Sequence, residues 1–371
     1  MGEMLRGGLD ACFVLLTGDN FYKCKSKSDF AAHFEVLRRE MLDAVPLPWY
    51  AVLGNHDVKY GGAEMHTGAF HGAAGPAGWS FRCPSTFYCI SEDWARLSSD
   101  TAASDTGQPV RPWCSSLLEI AVLNTNKTKS TANFFGAAEG QLEGSDASWD
   151  DQKAWLRDSL SETTATWKVV CGHHPIELIP QGILEHGLPG VRFLTAGFMK
   201  GHATSKMRQK GLRDVVVAGG AHVYLCGHQH LMAHLKRKPE QPKWTGKTGP
   251  ADGALDYAIF GSSSKLEQDL EDWDAQPAAE ASLSGWQSWQ VDGMSEKMSE
   301  LWFAQKIGFA VIDATPCSLT VRYYSVNSGD GEAQGASSGA AVSTHVSCEP
   351  IGGSVLPHGV ALVHEFVKRR D

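Results

Sequence analysis

No apolar run in this 371-residue sequence approaches the roughly 20 residues that a membrane-crossing helix needs. A basic excess is missing too. The 33 Lys and Arg stand against 42 Asp and Glu, a net charge of −9, and no basic stretch offers a nucleic-acid face. Nine cysteines are too few for a disulfide scaffold at this length, and none forms a CxxC pair of the zinc type. Cys83 and Cys89 flank a strand start, where a disulfide and two buried thiols are both open readings. The opening "MGEMLRGGLD" lacks the apolar centre of a secretory signal. Internal repeats are absent. What remains is ordinary globular composition, 42% hydrophobic and 20% charged, enough for one large domain or two small ones.

The first half alternates strand-like and helix-like patterns. "ACFVLL", "WYAVLG", "LLEIAVLN", "WKVVCG" and "AHVYLCG" are short apolar runs, most of them closed by glycine. In "SDFAAHFEVLRREMLDAV", Phe30, Phe34, Leu37 and Met41 recur at helical spacing behind a cap at Ser28 or Asp29. "SWDDQKAWLRDSL" is a second helix, with Trp149, Trp155 and Leu156 on one face. This alternation predicts a layered α/β core. Later, "IGFAVIDA" and "SLTVRYYSV" read as strands around a turn at Pro316. "KRKPEQPKWTGKTGPADG" reads as an exposed loop, and the acidic stretch from Lys265 as a surface insertion. A catalytic domain over 1–325 and a low-complexity tail over 326–371, ending in a short helix at "VALVHEFVKRRD", complete the division.

The chemistry sits where four of the strands end: "TGDNFY", "LGNHD", "CGHHP" and "CGHQH". In layered α/β folds, ligands gather beyond the carboxyl ends of strands. Asp19, Tyr22, Asn55, His56, His173, His174, His228 and His230 can therefore meet at one rim. Singly, each has a plain explanation as turn chemistry or a hydrogen-bonded histidine. Recurrence at four separate strand ends favours metal binding. Asp19 and Tyr22 offer hard anionic oxygens suited to trivalent iron. Asn55, His173 and His228 suit a borderline divalent ion: zinc, iron or manganese. Paired ions about 3.5–4 Å apart are a device for hydrolysing phosphate esters, lowering the pKa of a bound water to give hydroxide. His56 is placed to protonate the leaving alcohol.

The order GDNFY, GNHD, GHHP, GHQH resembles the metallophosphoesterase signature, and the tyrosine in GDNFY resembles the purple acid phosphatases, most of all the small tartrate-resistant type. "VPLPWYAVLGNHD", "CPSTFYCI" and "GFAVIDATPCSLTVRYY" extend the likeness over roughly residues 9 to 325. The resemblance implies a sandwich of two β-sheets flanked by helices. It implies an Fe(III)–M(II) centre in which Asp19 bridges, Tyr22 and His230 hold the iron, and Asn55, His173 and His228 hold the divalent ion. His56 and, from the segment "LEHG", His186 would face the substrate. Asn124 stands where the small enzymes tend to carry aspartate, and His174 where they usually have tyrosine.

The resemblance also implies an earlier strand ending in Asp-x-Gly, with a further iron-binding aspartate, which does not precede "FVLLTGDNFY" here. The expectation is an incomplete reading of a longer chain, with the first strand lacking. The function expected is acid phosphatase activity on a small phosphate ester or phosphoprotein, with no nucleic-acid or membrane partner. Two alternatives are an inactive metal- or phosphate-binding relative and a phosphodiesterase of the same superfamily. By resemblance the protein would be secreted or lysosome/vacuole-like if a leader is missing. Substrate choice is assigned to loops 58–82 and 181–205. The sequon Asn126-Lys127-Thr128 matters only in a secreted protein.

Overall fold

Short apolar runs closed by glycine become short buried strands here. The structure, a computed structural model, describes residues 11–43, 45, 47–58, 62–72, 81–91, 117–126, 147–177, 211–237, 255–261, 280–282, 298–304, 306–326 and 360–369. The stretch "ACFVLL" yields β1 (Val14–Leu16), and "WYAVLG" yields β2 (Trp49–Ala51), fully buried. They pair in parallel, and β3 (Phe81–Arg82) adds a third strand beside β2. Between β1 and β2 runs α1 (Lys27–Leu37), prolonged by a π-turn over Arg38–Leu42. Its cap is Ser26 rather than the expected Ser28 or Asp29: the Ser26 hydroxyl accepts from the Asp29 amide. Phe30 and Phe34 bury themselves against this small sheet, as their spacing predicts, while Met41 is exposed. A helix not foreseen in the 58–82 loop, α2 (Gly62–Gly72), packs beside them.

The second sheet has eight strands, four parallel at its centre between antiparallel flanks. Its parallel centre is β5 (Leu118–Leu123), β6 (Trp167–Gly172), β7 (Val223–Cys226) and β9 (Asp256–Phe260). Antiparallel flanks are β4 (Tyr88–Ser91) on one side and β8 (Met232–Arg237), β11 (Met298–Ala304) and β10 (Glu280–Ser282) on the other. One face is covered by α3 (Trp149–Glu162) and a helical stretch over 211–218, through Leu156, Leu160, Leu212 and Val216. A capping box between Ser148 and Asp151 starts α3. Trp149 and Leu156 are buried, and Trp155 packs on the same core.

On the opposite face the layer is split. The β1-β2-β3 sheet covers one part. A separate sheet of β12 (Gly308–Ala314), β13 (Ser318–Val326) and β14 (Val360–Arg369) covers another. Tyr50 and Val52 from the first, and Leu319, Val321, Tyr323 and Phe366 from the second, share one core with the large sheet. The two-sheet sandwich expected from sequence is thus three sheets among the described residues. The reason is that β1 and β12 each end their own sheet without pairing with one another. Both edges line a cavity of about 740 Å³ that reaches Asp19 and Tyr22 at one end.

The short helix expected at the C-terminus is instead β14, antiparallel to β13 along its length. Its His364 and Phe366 stack on Trp302 and His234 of the large sheet. Cys83 and Cys89 are free thiols, Cys83 buried and Cys89 exposed, so the open choice between disulfide and thiol resolves to thiols. Of the loop expected over 236–253, Lys236 and Arg237 belong to β8; its remainder, the 327–343 stretch and residues 1–10 lie outside the described residues.

Candidate metal centre

All four motif-bearing strand ends meet at one place. Glycines make the meeting possible. A Cβ on Gly18 would stand 2.4 Å from His173 Nδ1, and one on Gly54 would stand 2.2 Å from Asp19 Oδ1. Such approaches between the ends of β1, β2 and β6 exclude any side chain. Asp19 and His228 both adopt left-handed backbone, with φ of 55° and 67°. For non-glycine residues this is strained, and strain of this kind gathers at functional sites.

Six of the expected residues converge in two groups. Asn55 Oδ1 lies 3.1 Å from His173 Nε2 and 3.1 Å from His228 Nδ1, and those two nitrogens are 3.3 Å apart. Donors held at about 2.1 Å by one tetrahedral or octahedral ion sit about 3.0–3.4 Å from each other. The triangle has that size. In the second group the Tyr22 hydroxyl is 3.1 Å from His230 Nε2 and 3.3 Å from Asp19 Oδ2. Asp19 joins the groups: its other oxygen, Oδ1, lies 3.4 Å from His173 Nε2. One carboxylate oxygen therefore faces each set of donors.

Supporting contacts fix these orientations. His173 Nδ1 meets the Thr17 carbonyl at 2.9 Å, so the ring donates there and leaves the Nε2 lone pair toward Asn55. The His56 amide donates to Asp19 Oδ1 at 2.8 Å, and the His56 ring stands 4.5 Å from that of Tyr22. Burial by itself would raise the Asp19 pKa. The hydrogen bond and charge of His173, with the His56 amide, outweigh it and hold the carboxyl well below the usual range. His173 shows the reciprocal effect: burial pushes it down, and Asp19 pushes it up further. His186 lies outside the described residues.

Two residues of these loops carry more than the sequence suggested. Asp57, fully buried, accepts from the amides of Asn20, Phe21 and Gly54 and from the Asn20 side chain, all within 3.0 Å. It clamps the GDNFY loop to the GNHD loop. Its position at a strand end was visible, but a carboxylate that binds amides has the same sequence signature as one that binds a cation. His174, 7% exposed, also joins the cluster: it, His173 and His228 each place a ring nitrogen within 4.8 Å of the others. Asn124 is buried, with Oδ1 accepting from the Asn126 amide and side chain. The sequon residue Asn126 is itself buried and donates to the Leu53 carbonyl, so its amide is not presented for glycosylation in the folded chain.

The profile of calcineurin-like phosphoesterases matches residues 3–232. Purple acid phosphatase 17 of Arabidopsis thaliana is 26% identical over 241 residues, covering 61% of this chain and 55% of that protein. Tartrate-resistant acid phosphatase type 5 of Oryctolagus cuniculus is 28% identical over 233 residues, covering 62% and 58%. The chain thus spans little more than half the length of these relatives. A solved purple acid phosphatase from yellow lupin (Lupinus luteus) seeds aligns with a TM-score of 0.42 at 11% identity, covering 87% of this chain and 45% of that one.

Proposed function

The chain belongs to the calcineurin-like phosphoesterase family, and from that premise we propose that it is a two-metal phosphoric monoester hydrolase of the acid phosphatase kind. The family implies a dinuclear centre, and the donor chemistry here fits one. One observation carries the reading: the Asp19 carboxylate presents Oδ2 to Tyr22 and Oδ1 to His173, between two separate sets of donors. Tyr22 and His230 would hold Fe(III). Asn55, His173 and His228 would hold a divalent ion, zinc, iron or manganese. When bound, such a pair neutralises phosphate oxygens and lowers the pKa of a water.

The protein's own groups then have distinct tasks. Thr17 holds the His173 tautomer through its carbonyl. The Asp57 clamp keeps the loops carrying Asp19 and Asn55 in register. His56, beside the Tyr22 ring, would donate a proton to the departing alcohol oxygen. His186, carried only by resemblance, would face the same substrate.

The test compares p-nitrophenyl phosphate with bis(p-nitrophenyl) phosphate, using protein loaded with iron and zinc. We expect the monoester to be hydrolysed faster, with a visible absorption band that disappears in Tyr22→Phe. Preference for the diester would move the assignment to a phosphodiesterase. No turnover of either ester would reject the enzymatic reading.

A further inference from the structure

Resting on the two-metal reading above, we propose that His174 is a third imidazole donor to the divalent ion held by Asn55, His173 and His228. Consecutive residues of an extended segment point to opposite sides, so two histidines in a row after β6 should diverge. They do not. The rings of His173 and His174 stand 4.9 Å apart, and that of His174 lies 4.4 Å from His228. One ring nitrogen from each falls within 4.8 Å of the others. Donors of one octahedral ion lie about 3.0–4.2 Å apart, so an inward ring movement on the order of 1 Å completes the set.

The bend that brings His174 inward is held by two residues, Tyr224 and Thr125. The Tyr224 hydroxyl donates to the His174 carbonyl at 2.8 Å. The His174 amide donates to Thr125 Oγ1 at 2.9 Å, and the same oxygen meets His174 Nδ1 at 3.1 Å. Gly172 makes room, since a Cβ there would stand 2.6 Å from both Thr125 Cγ2 and the Tyr224 hydroxyl. Thr125 Oγ1 has two lone pairs and can accept both the amide and the Nδ1 hydrogens. In the tautomer where Nδ1 donates to Thr125, the His174 lone pair sits on Nε2, and this is the tautomer the proposal requires.

A site with three imidazoles and one amide oxygen is softer than one with two. It should favour zinc over manganese, whose preferred donors are oxygens. The experiment measures zinc and manganese affinity by competition with a chromophoric chelator in the wild type, His174→Phe and His174→Asn. In parallel, protein carrying ¹⁵N only in histidine is titrated with zinc, with the His174 signals assigned by their loss in the variants. We expect zinc affinity to fall at least tenfold in both variants, manganese affinity to change less than threefold, and the His174 Nε2 signal to shift on zinc addition. His174→Asn retains a polar group beside Thr125, so it reports on the cation if the Phe variant folds poorly. Zinc affinity within twofold of wild type in a folded variant, with a static His174 signal, would overturn the proposal while leaving the two-metal centre standing. Wild-type protein that binds neither ion would remove both.

Discussion

Gly54 is a sensitive point of the site, because adding one methyl there displaces the donors without replacing any of them. In Gly54→Ala, the new Cβ would lie 2.1 Å from the Asp19 amide nitrogen and 2.2 Å from Asp19 Oδ1. Real Cβ atoms essentially never come within 3.0 Å of such neighbours, so the two loops must part by roughly 1 Å. The neighbour at risk is backbone as well as carboxylate, and the Asp57 clamp to the Gly54 amide resists the movement. Overpacking of this kind costs about 1–3 kcal/mol of stability. A misplacement of about 1 Å at reacting groups costs on the order of 100-fold in rate. The variant should therefore fold with a lowered Tm, lose at least 100-fold in kcat/KM on p-nitrophenyl phosphate, and bind metal more weakly. The control is Gly220→Ala, where φ is +69° but nothing lies within 4 Å of the added carbon. It should cost about 1–2 kcal/mol from backbone strain alone and leave kcat/KM unchanged. A folded Gly54→Ala protein with metal content and activity within threefold of wild type would show that the close approach of the two loops does not position the donors.

Asp57→Asn should destabilise the fold by about 3–5 kcal/mol, read by urea denaturation, because an amide can no longer accept from three backbone N–H groups without turning a donor toward one of them. A second expectation concerns acid stability. Burial, with the charge of His234 beside it, pushes the His364 pKa down to about 3 from an ordinary 6.5. The unfolded chain then binds a proton below pH 6.5 that the folded one refuses. Stability should fall as pH drops from about 6.5 toward 3, by up to about 1.4 kcal/mol per unit. Asp256, paired with His234 and Lys368, has a depressed pKa despite its burial, and contributes stability that is lost only below its unfolded value of 3.8. Between pH 7 and 5, His364→Phe should therefore reduce the loss of unfolding free energy by up to about 2 kcal/mol relative to wild type. An unchanged difference would show that His364 titrates normally.

Much of this was legible because it is local. An apolar run, a glycine and a metal-capable side chain within six residues define each strand end, and four such ends suffice to place Asp19, Tyr22, Asn55, His173, His228 and His230 together. The helix spacing of Phe30 and Phe34 was equally local. Pairing over long separations was not legible. The strand β14 joins β13 across a long intervening segment, and "VALVHEFVKR" carries apolar residues at spacings that suit a helix as well as a strand. Backbone pairing with β13 decides, supported by the large sheet, where His234 and Trp302 stack on Phe366 and His364. The cap at Ser26 was misplaced by two or three residues because Ser26, Ser28 and Asp29 all have capping side chains. Asp57 was passed over since its task, gathering amides from two loops, exists only once those loops meet.

A carboxylate at Asp19 shared by two cations makes both ions depend on one residue, so bound ions are to be counted in Asp19→Asn. Wild-type protein titrated with iron and zinc and then desalted should retain two metals per chain, and the variant should lose affinity for both together. Loss of only one ion, or of neither, would show that the Asp19 carboxylate is not shared.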